Sequence, residues 1–298
     1  MSRSLKAHLL LILVTLIWGA TFVQVKAALT DVSPLLFNAI RMLVAALCLG
    51  VIYARHIKRI GKPQLISGAV VGVFLWLGYE FQTTGLRLTT PSKSGFLTGV
   101  SVALVPIFMA LFFGRKVNRW TLVGVLAAFA GLVLMTVPAG EDRLADWSSV
   151  NRGDLLTLAC AMAFAFQIIF LGRATQRHPF EQIAFLQTAV AVILMSATAP
   201  VFEHPFVHLT PRLGLAIVVT GLLGTALAFT VQAWAQQFTP PTHTALIFAL
   251  EPVFAWLTSY LVLGERLGGR AALGAALILG GVLLSELKGT VEETPESG

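Results

Sequence analysis

TTPSKSGFLTGVSVALVPIFMALFFGRKVNRWTLVGVLAAFAGLVLM occupies residues 89–135, and TPPTHTALIFALEPVFAWLTSYLVLGERLGGRAALGAALILGGVLLS occupies 239–285. A shift of 150 residues superposes the two without a gap. Thr89 meets Thr239, Pro91 meets Pro241, Leu111 meets Leu261 and Gly114 meets Gly264. Gly124 meets Gly274, Gly131 meets Gly281 and Leu134 meets Leu284. Glycine and proline are the residues that local backbone geometry constrains most, so their agreement in register marks an internal duplication.

Working outward, the whole chain of 298 residues is 56% hydrophobic and 12% charged, with a mean hydropathy of +0.82. Too little polar surface exists to cover a soluble core. Apolar stretches near 20 residues match the length a helix needs to cross about 30 Å of hydrocarbon. Runs such as 9–14 and 122–135 are continuously apolar, which excludes the alternating strands of a membrane barrel. Breaks at charges, Pro and Gly predict ten helices, at 7–29, 35–54, 64–86, 93–113, 119–137, 153–172, 181–202, 212–236, 243–263 and 270–287. Ser33-Pro34, Pro91-Ser92 and Pro241-Thr242 mark helix starts. Arg3 and Lys6 before an apolar run imitate a signal peptide, but the apolar character continues through Val25 and reads as a full span.

The duplication has five helices per copy, an odd number, so the second copy enters the bilayer from the opposite face. The expected architecture is an all-α polytopic membrane protein with an inverted 5+5 repeat. Residues 1–140 form the first repeat, 141–288 the second, and 289–298 a polar, disordered tail. The net charge of +7 lies in loops between apolar segments, so it speaks for topology and against nucleic acid. With the N-terminus inside, twelve Lys and Arg fall on the cytoplasmic side and eight on the other, which places both termini in the cytoplasm of a cell inner membrane. Cys48 and Cys160 stand singly in apolar segments as packing residues.

Candidate site residues come from faces shared by the two copies. Thr244, Phe248, Glu251, Ala255 and Ser259 line one face of the ninth helix, and Ser94, Thr98, Ser101 and Val105 the matching face of the fourth. Small and hydroxylated residues also serve close helix packing, so the symmetric pair of faces counts for more than any one hydroxyl. Trp76, Tyr79, Glu80 and Thr83 recur at helical spacing in the third helix beside Gln82; the eighth answers with Thr225, Phe229, Gln232 and Gln236. Trp18, Thr21 and Gln24 in the first helix and Gln167 in the sixth add to this set, which suits a solute with apolar and polar parts. Helices five and ten are almost free of polar groups and read as scaffolding.

Glu251 lies deep in the ninth helix, where a charge costs about 2.5–3.5 kcal/mol and needs a partner or water. With Glu80 it is a candidate for proton or ion coupling. Arg41, one turn after Asn38, is the deep cation, and a structural ion pair among these three is the competing reading. Glu203, His204 and His208 do not suit a metal, because Pro205 breaks their spacing. Lys93 and His243 are paired by the repeat as interfacial anchors or gates, and Gly68–Gly72 and Gly95–Gly99 have the spacing of close helix contacts. No Walker loop, dinucleotide fingerprint or nucleophile elbow occurs, so no cofactor is expected.

The motifs IWGATF at 17–22, Arg41, SGFLTGVSVALVP at 94–106 and LEPVFAWLTSYLVLGERL at 250–267 appear in this order, together with the paired glycines. In these the chain resembles the EamA-like branch of the drug/metabolite transporter superfamily. The resemblance implies a central cavity lined mainly by helices 1, 3, 4, 6, 8 and 9. It also implies secondary transport, often efflux of amino acids, metabolites or drugs. The expected activity is non-enzymatic: alternating-access export of a small organic solute, with proton exchange as a candidate coupling, the lipid bilayer as partner and no oligomer required. A channel, an intramembrane enzyme and a sensor are the alternative classes. An enzyme lacks convergent catalytic groups, a sensor lacks a signalling domain, and a carrier of phosphate conjugates lacks internal cations. The copies also diverge: Arg115 stands where the second has Glu265, and Pro106 lies a turn beyond the position matching Pro252.

Overall fold

The computed structural model describes residues 2–88, 94, 97–136, 151–263 and 268–288. Among the described residues the regular elements are helices, with one isolated bridge between Val32 and Val207. They are α1 (Arg3–Ala28), α2 (Pro34–Ile52), α3 (Lys62–Leu88), α4 (Ser101–Phe113), α5 (Arg119–Thr136), α6 (Arg152–Thr175), α7 (Phe180–Phe202), α8 (Pro211–Ala235), α9 (Pro241–Phe248), α10 (Glu251–Leu263) and α11 (Gly269–Lys288). By length and composition α1, α2, α3, α6, α7, α8 and α11 can each cross a bilayer, seven in all. The apolar helices Leu97–Phe113 and Arg119–Met135 are shorter. The chain is an all-helical polytopic membrane protein.

Local chemistry sets the helix starts. Ser2 accepts from the Leu5 amide, Thr210 from the Leu213 amide, and Asn151 and Asp154 form a reciprocal capping box. Pro34, Pro211 and Pro241 open α2, α8 and α9, where a missing N–H costs nothing. Ser33 stands at the N-cap of α2, yet its hydroxyl bonds the Phe206 amide instead of its own helix.

The single helix expected over 243–263 is divided. α9 ends at Phe248 and α10 begins at Glu251, with a turn at Ala249 and Leu250 between them. Pro252 accounts for the division, since it has no N–H to offer the Phe248 carbonyl and its ring crowds that oxygen. The fourth segment turns at Val100, 150 residues earlier. The bonds repeat with it: Val100 N to Leu97 O and Leu104 N to Val100 O in one copy, Leu250 N to Ile247 O and Phe254 N to Leu250 O in the other.

Packing follows small residues. α5 and α11 run against each other along their length. A Cβ on Gly124 would meet the Gly281 carbonyl, and one on Gly131 the Gly274 carbonyl, so the pair is antiparallel and its backbones touch. Gly68 and Gly72 admit Leu186 and Val190 of α7, and Gly19 leaves room for the α10 backbone at Ala255. Gly95, Lys93, Pro91 and the tail at 289–298 lie outside the described residues.

One end of the bundle carries cations seated on aromatic rings: Arg3 on Phe238, Lys6 on Trp234, Arg173 on Phe113 and Lys288 on Trp120. At the other end Arg212 grips Asp31 through Nε and Nη2 at 3.0–3.2 Å, and Thr210 donates to the same carboxylate at 2.8 Å. There Glu203 accepts from the Leu36 amide at 2.9 Å and faces Arg87 at 3.8 Å. Its work is thus to tie α7 to α2 and α3.

Candidate functional site

Three of the deep polar groups meet between α2, α3 and α8. Arg41 is 7% exposed. Its Nη2 donates to the Tyr79 hydroxyl at 3.0 Å and to the Thr225 hydroxyl at 3.3 Å, and its guanidinium lies 4.7 Å from the centre of the Tyr79 ring. Thr225 can take this position because α8 widens into a π-helical turn over Leu222–Leu227. The extra residue lets the Thr225 hydroxyl bond the Thr220 carbonyl five residues back, at 2.8 Å, and exposes the Gly224 carbonyl to the Trp18 indole N–H, also at 2.8 Å. Such turns are rare and recur at functional sites.

Aromatic rings surround this group. Trp18 packs on Phe229 and Phe248, with ring centres 5.8 and 4.9 Å apart, while Tyr79 meets Phe164 and Phe229 edge-on at 5.6 and 6.3 Å. Tyr79 and Phe229, equivalent in the two copies, thus touch. Beside them Gln232 donates to Gln167, and Gln167 to Gln187, at 3.2 and 3.0 Å. The amide nitrogen of Gln187 and the amide oxygen of Gln232 end this ladder buried and without a hydrogen-bond partner among the described residues. Gln82 donates to the Thr98 hydroxyl at 3.4 Å, which lies 3.8 Å from the Cys160 sulfur.

The carboxylates occupy separate places. Thr198 donates to Glu80 at 2.9 Å and accepts from the Trp76 indole at 3.3 Å. Glu251 stands in the first turn of α10, where the helix N-terminus favours negative charge. It makes no hydrogen bond or ion pair among the described residues. An ion pair joining Arg41 to Glu80 or Glu251 is not formed among these groups. Ser94 is buried and Ser101 partly so. Thr21 bonds the Trp18 carbonyl and Thr244 the Pro240 carbonyl, each within its own helix region.

Sequence reasoning missed Gln187 and Thr198 in α7, because the repeat places Phe37 and Cys48 opposite them and a search for paired positions passes them by. It also missed His8 and Glu286. His8 Nδ1 lies 2.6 Å and His243 Nδ1 3.0 Å from the two oxygens of Glu286, so His243 is anchored to α11 beside His8 of α1. At this same end a cavity of about 800 Å³ opens between Phe113, Arg115, Lys116, Arg173, Arg177, Gln236 and Thr242.

This arrangement gathers aromatic rings, amides, hydroxyls and one cation between the two halves of the chain. A crystal structure with 22% sequence identity superposes with a TM-score of 0.78, covering 98% of this chain and 100% of its own, and so shares the fold. A protein of Archaeoglobus fulgidus described as an uncharacterized transporter is 34% identical over 286 residues, 96% of this chain and 87% of its own. A probable amino-acid metabolite efflux pump of Escherichia coli is 23% identical over 299 residues, 96% of this chain and 95% of its own. The model of the EamA-like transporter family matches twice, over residues 5–137 and 151–287. The chain therefore belongs to the EamA-like transporter family, and it is a membrane transporter, not an enzyme.

Proposed function

We propose that the chain is a secondary active exporter of small organic solutes that works by alternating access between two inverted five-helix halves, 1–140 and 141–288. The observation that carries this reading is the reciprocal glycine contact of α5 and α11. Gly124 and Gly274 are equivalent by the repeat, as are Gly131 and Gly281. A two-fold axis in the membrane plane converts the contact of Gly124 with Gly281 into that of Gly274 with Gly131, and both contacts are present. The matching turns at Val100 and Leu250 support the same axis, since broken helices at equivalent places flank the midplane sites of carriers.

The substrate site is then the group around Trp18, Thr21, Trp76, Tyr79, Gln82, Ser94, Thr98, Ser101, Gln167, Phe229, Gln232, Thr244 and Phe248. The cavity among Arg115, Arg173 and Gln236 is its entrance from the cytoplasm of an inner-membrane protein with both termini inside, a placement favoured by the belt of cations on rings at that end. Glu251, partly accessible and without a partner among the described residues, is the proton carrier. Saturable counterflow of a labelled solute in liposomes distinguishes a carrier from a channel. In inverted vesicles under an imposed proton gradient, Glu251→Gln is expected to abolish gradient-driven uptake while leaving counterflow; unchanged uptake and pH dependence would exclude the proton role.

A further inference from the structure

Arg41 is an incomplete site. Among the described residues it has no acidic partner, although it is more than nine-tenths buried at membrane depth. Its hydrogen bonds run from Nε and Nη2 to two neutral hydroxyls, and Nη1 takes part in none of them. A guanidinium offers five N–H donors in a planar fork suited to a carboxylate. The neighbours are set up to help. Thr225 spends its own proton on the Thr220 carbonyl and so turns an oxygen lone pair to Arg41. The Tyr79 hydroxyl accepts from Arg41 and keeps its proton free to donate. A buried cation held by neutral groups and a π face lacks only an anion, and the aromatic walls beside it suit an apolar body.

Building on the carrier reading above, we infer that Arg41 docks a carboxylate carried by the transported solute. Tyr79 is the second donor, and the solute belongs to the small organic acids whose apolar part lies against Trp18, Tyr79 and Phe229. A cation already in place balances the anion's charge at the midplane site, so the carboxylate is not left unpaired there while access alternates around it.

Thermal unfolding of the purified full-length protein, titrated with phenylacetate, phenylalanine and their primary amides, tests this. The acids are expected to bind at least about tenfold more tightly than the matching amides, the worth of one charge-assisted pair. Arg41→Gln should reduce the acids to the level of the amides, and Arg41→Lys should restore part of the preference. If Arg41→Gln does not fold, Tyr79→Phe serves instead, with a severalfold loss for the acids and none for the amides. Equal binding of acids and amides by the native protein, or an acid preference that survives these replacements, overturns the assignment. Saturable counterflow of other solutes with no acid preference refutes the Arg41 site and leaves the carrier reading standing. An Arg41-dependent acid preference without saturable counterflow does the reverse.

Discussion

Thr198 is one hydroxyl bonded to two side chains: it lies 2.9 Å from the Glu80 carboxylate and equally far from the Leu194 carbonyl of its own helix, sharing one proton between them, and it accepts from the Trp76 indole. Thr198→Val keeps the shape and removes both bonds, leaving a buried carboxylate short of a donor. We expect a loss of about 1.5–3 kcal/mol, read as a lower midpoint of thermal unfolding in detergent, with Thr198→Ser close to native. At this scale the sequence was informative where chemistry was out of place. Arg41, Glu80 and Glu251 stand out because charges in apolar spans are rare. Their partners did not stand out, because Thr198 and Thr225 look like the many threonines that only bond their own helix. The decisive step for Thr225 is a π turn, and nothing in LLGTAL distinguishes such a turn from an ordinary helical one.

At the scale of elements, proline and glycine carried most of what could be foreseen. The starts of α2, α8 and α9, the α5 and α11 glycines and the weakness before Pro252 are all written in residues with strong backbone preferences. The turn at Val100 was not foreseen, because Pro106 sits six residues on and could not mark it. The reciprocal contact makes a quantitative prediction. Alanine at Gly131 and alanine at Gly281, the positions the repeat makes equivalent, each drive a methyl group into the opposing carbonyl. Each is expected to cost about 1–3 kcal/mol, as overpacking does, and the two losses should agree within about 0.5 kcal/mol. Glycine to alanine at Gly280, with open space around it, is the control that should change little. Unequal losses in detergent unfolding of the two variants would argue that no two-fold axis relates the two positions.

Across the whole molecule the two ends are fastened by different chemistry. His8, His243 and Glu286 join α1, α9 and α11 at the end with the cavity, and Asp31 with Thr210 and Arg212 joins the first interhelical turn to α8 at the other. The Thr210 hydroxyl and the Arg212 guanidinium hold the Asp31 carboxyl below the usual aspartate value. A group depressed in the folded state contributes above its unfolded value and loses that contribution as pH falls through the folded one. The clasp should therefore be intact at neutral pH and released only on acidification below the normal aspartate range. Asp31→Asn should lower the unfolding midpoint at pH 7, and the gap from the native protein should close as the pH approaches the acid limit. A gap that stays constant would mean the carboxylate does not carry the clasp. Neither fastening was legible beforehand, since each depends on a contact between residues more than 170 positions apart, His8 with Glu286 and Asp31 with Thr210, and on how the helices gather.

The glycine contact between α5 and α11 also bears on ancestry. With the proposed axis exchanging the two copies, one half presents to its twin the surface that the twin presents to it, and each glycine of that half is used twice. A single five-helix polypeptide able to insert either way up would have met its own product across the same seam. It would have needed no new interface to become a pair, and fusion of the two genes would then have fixed an assembly that already existed.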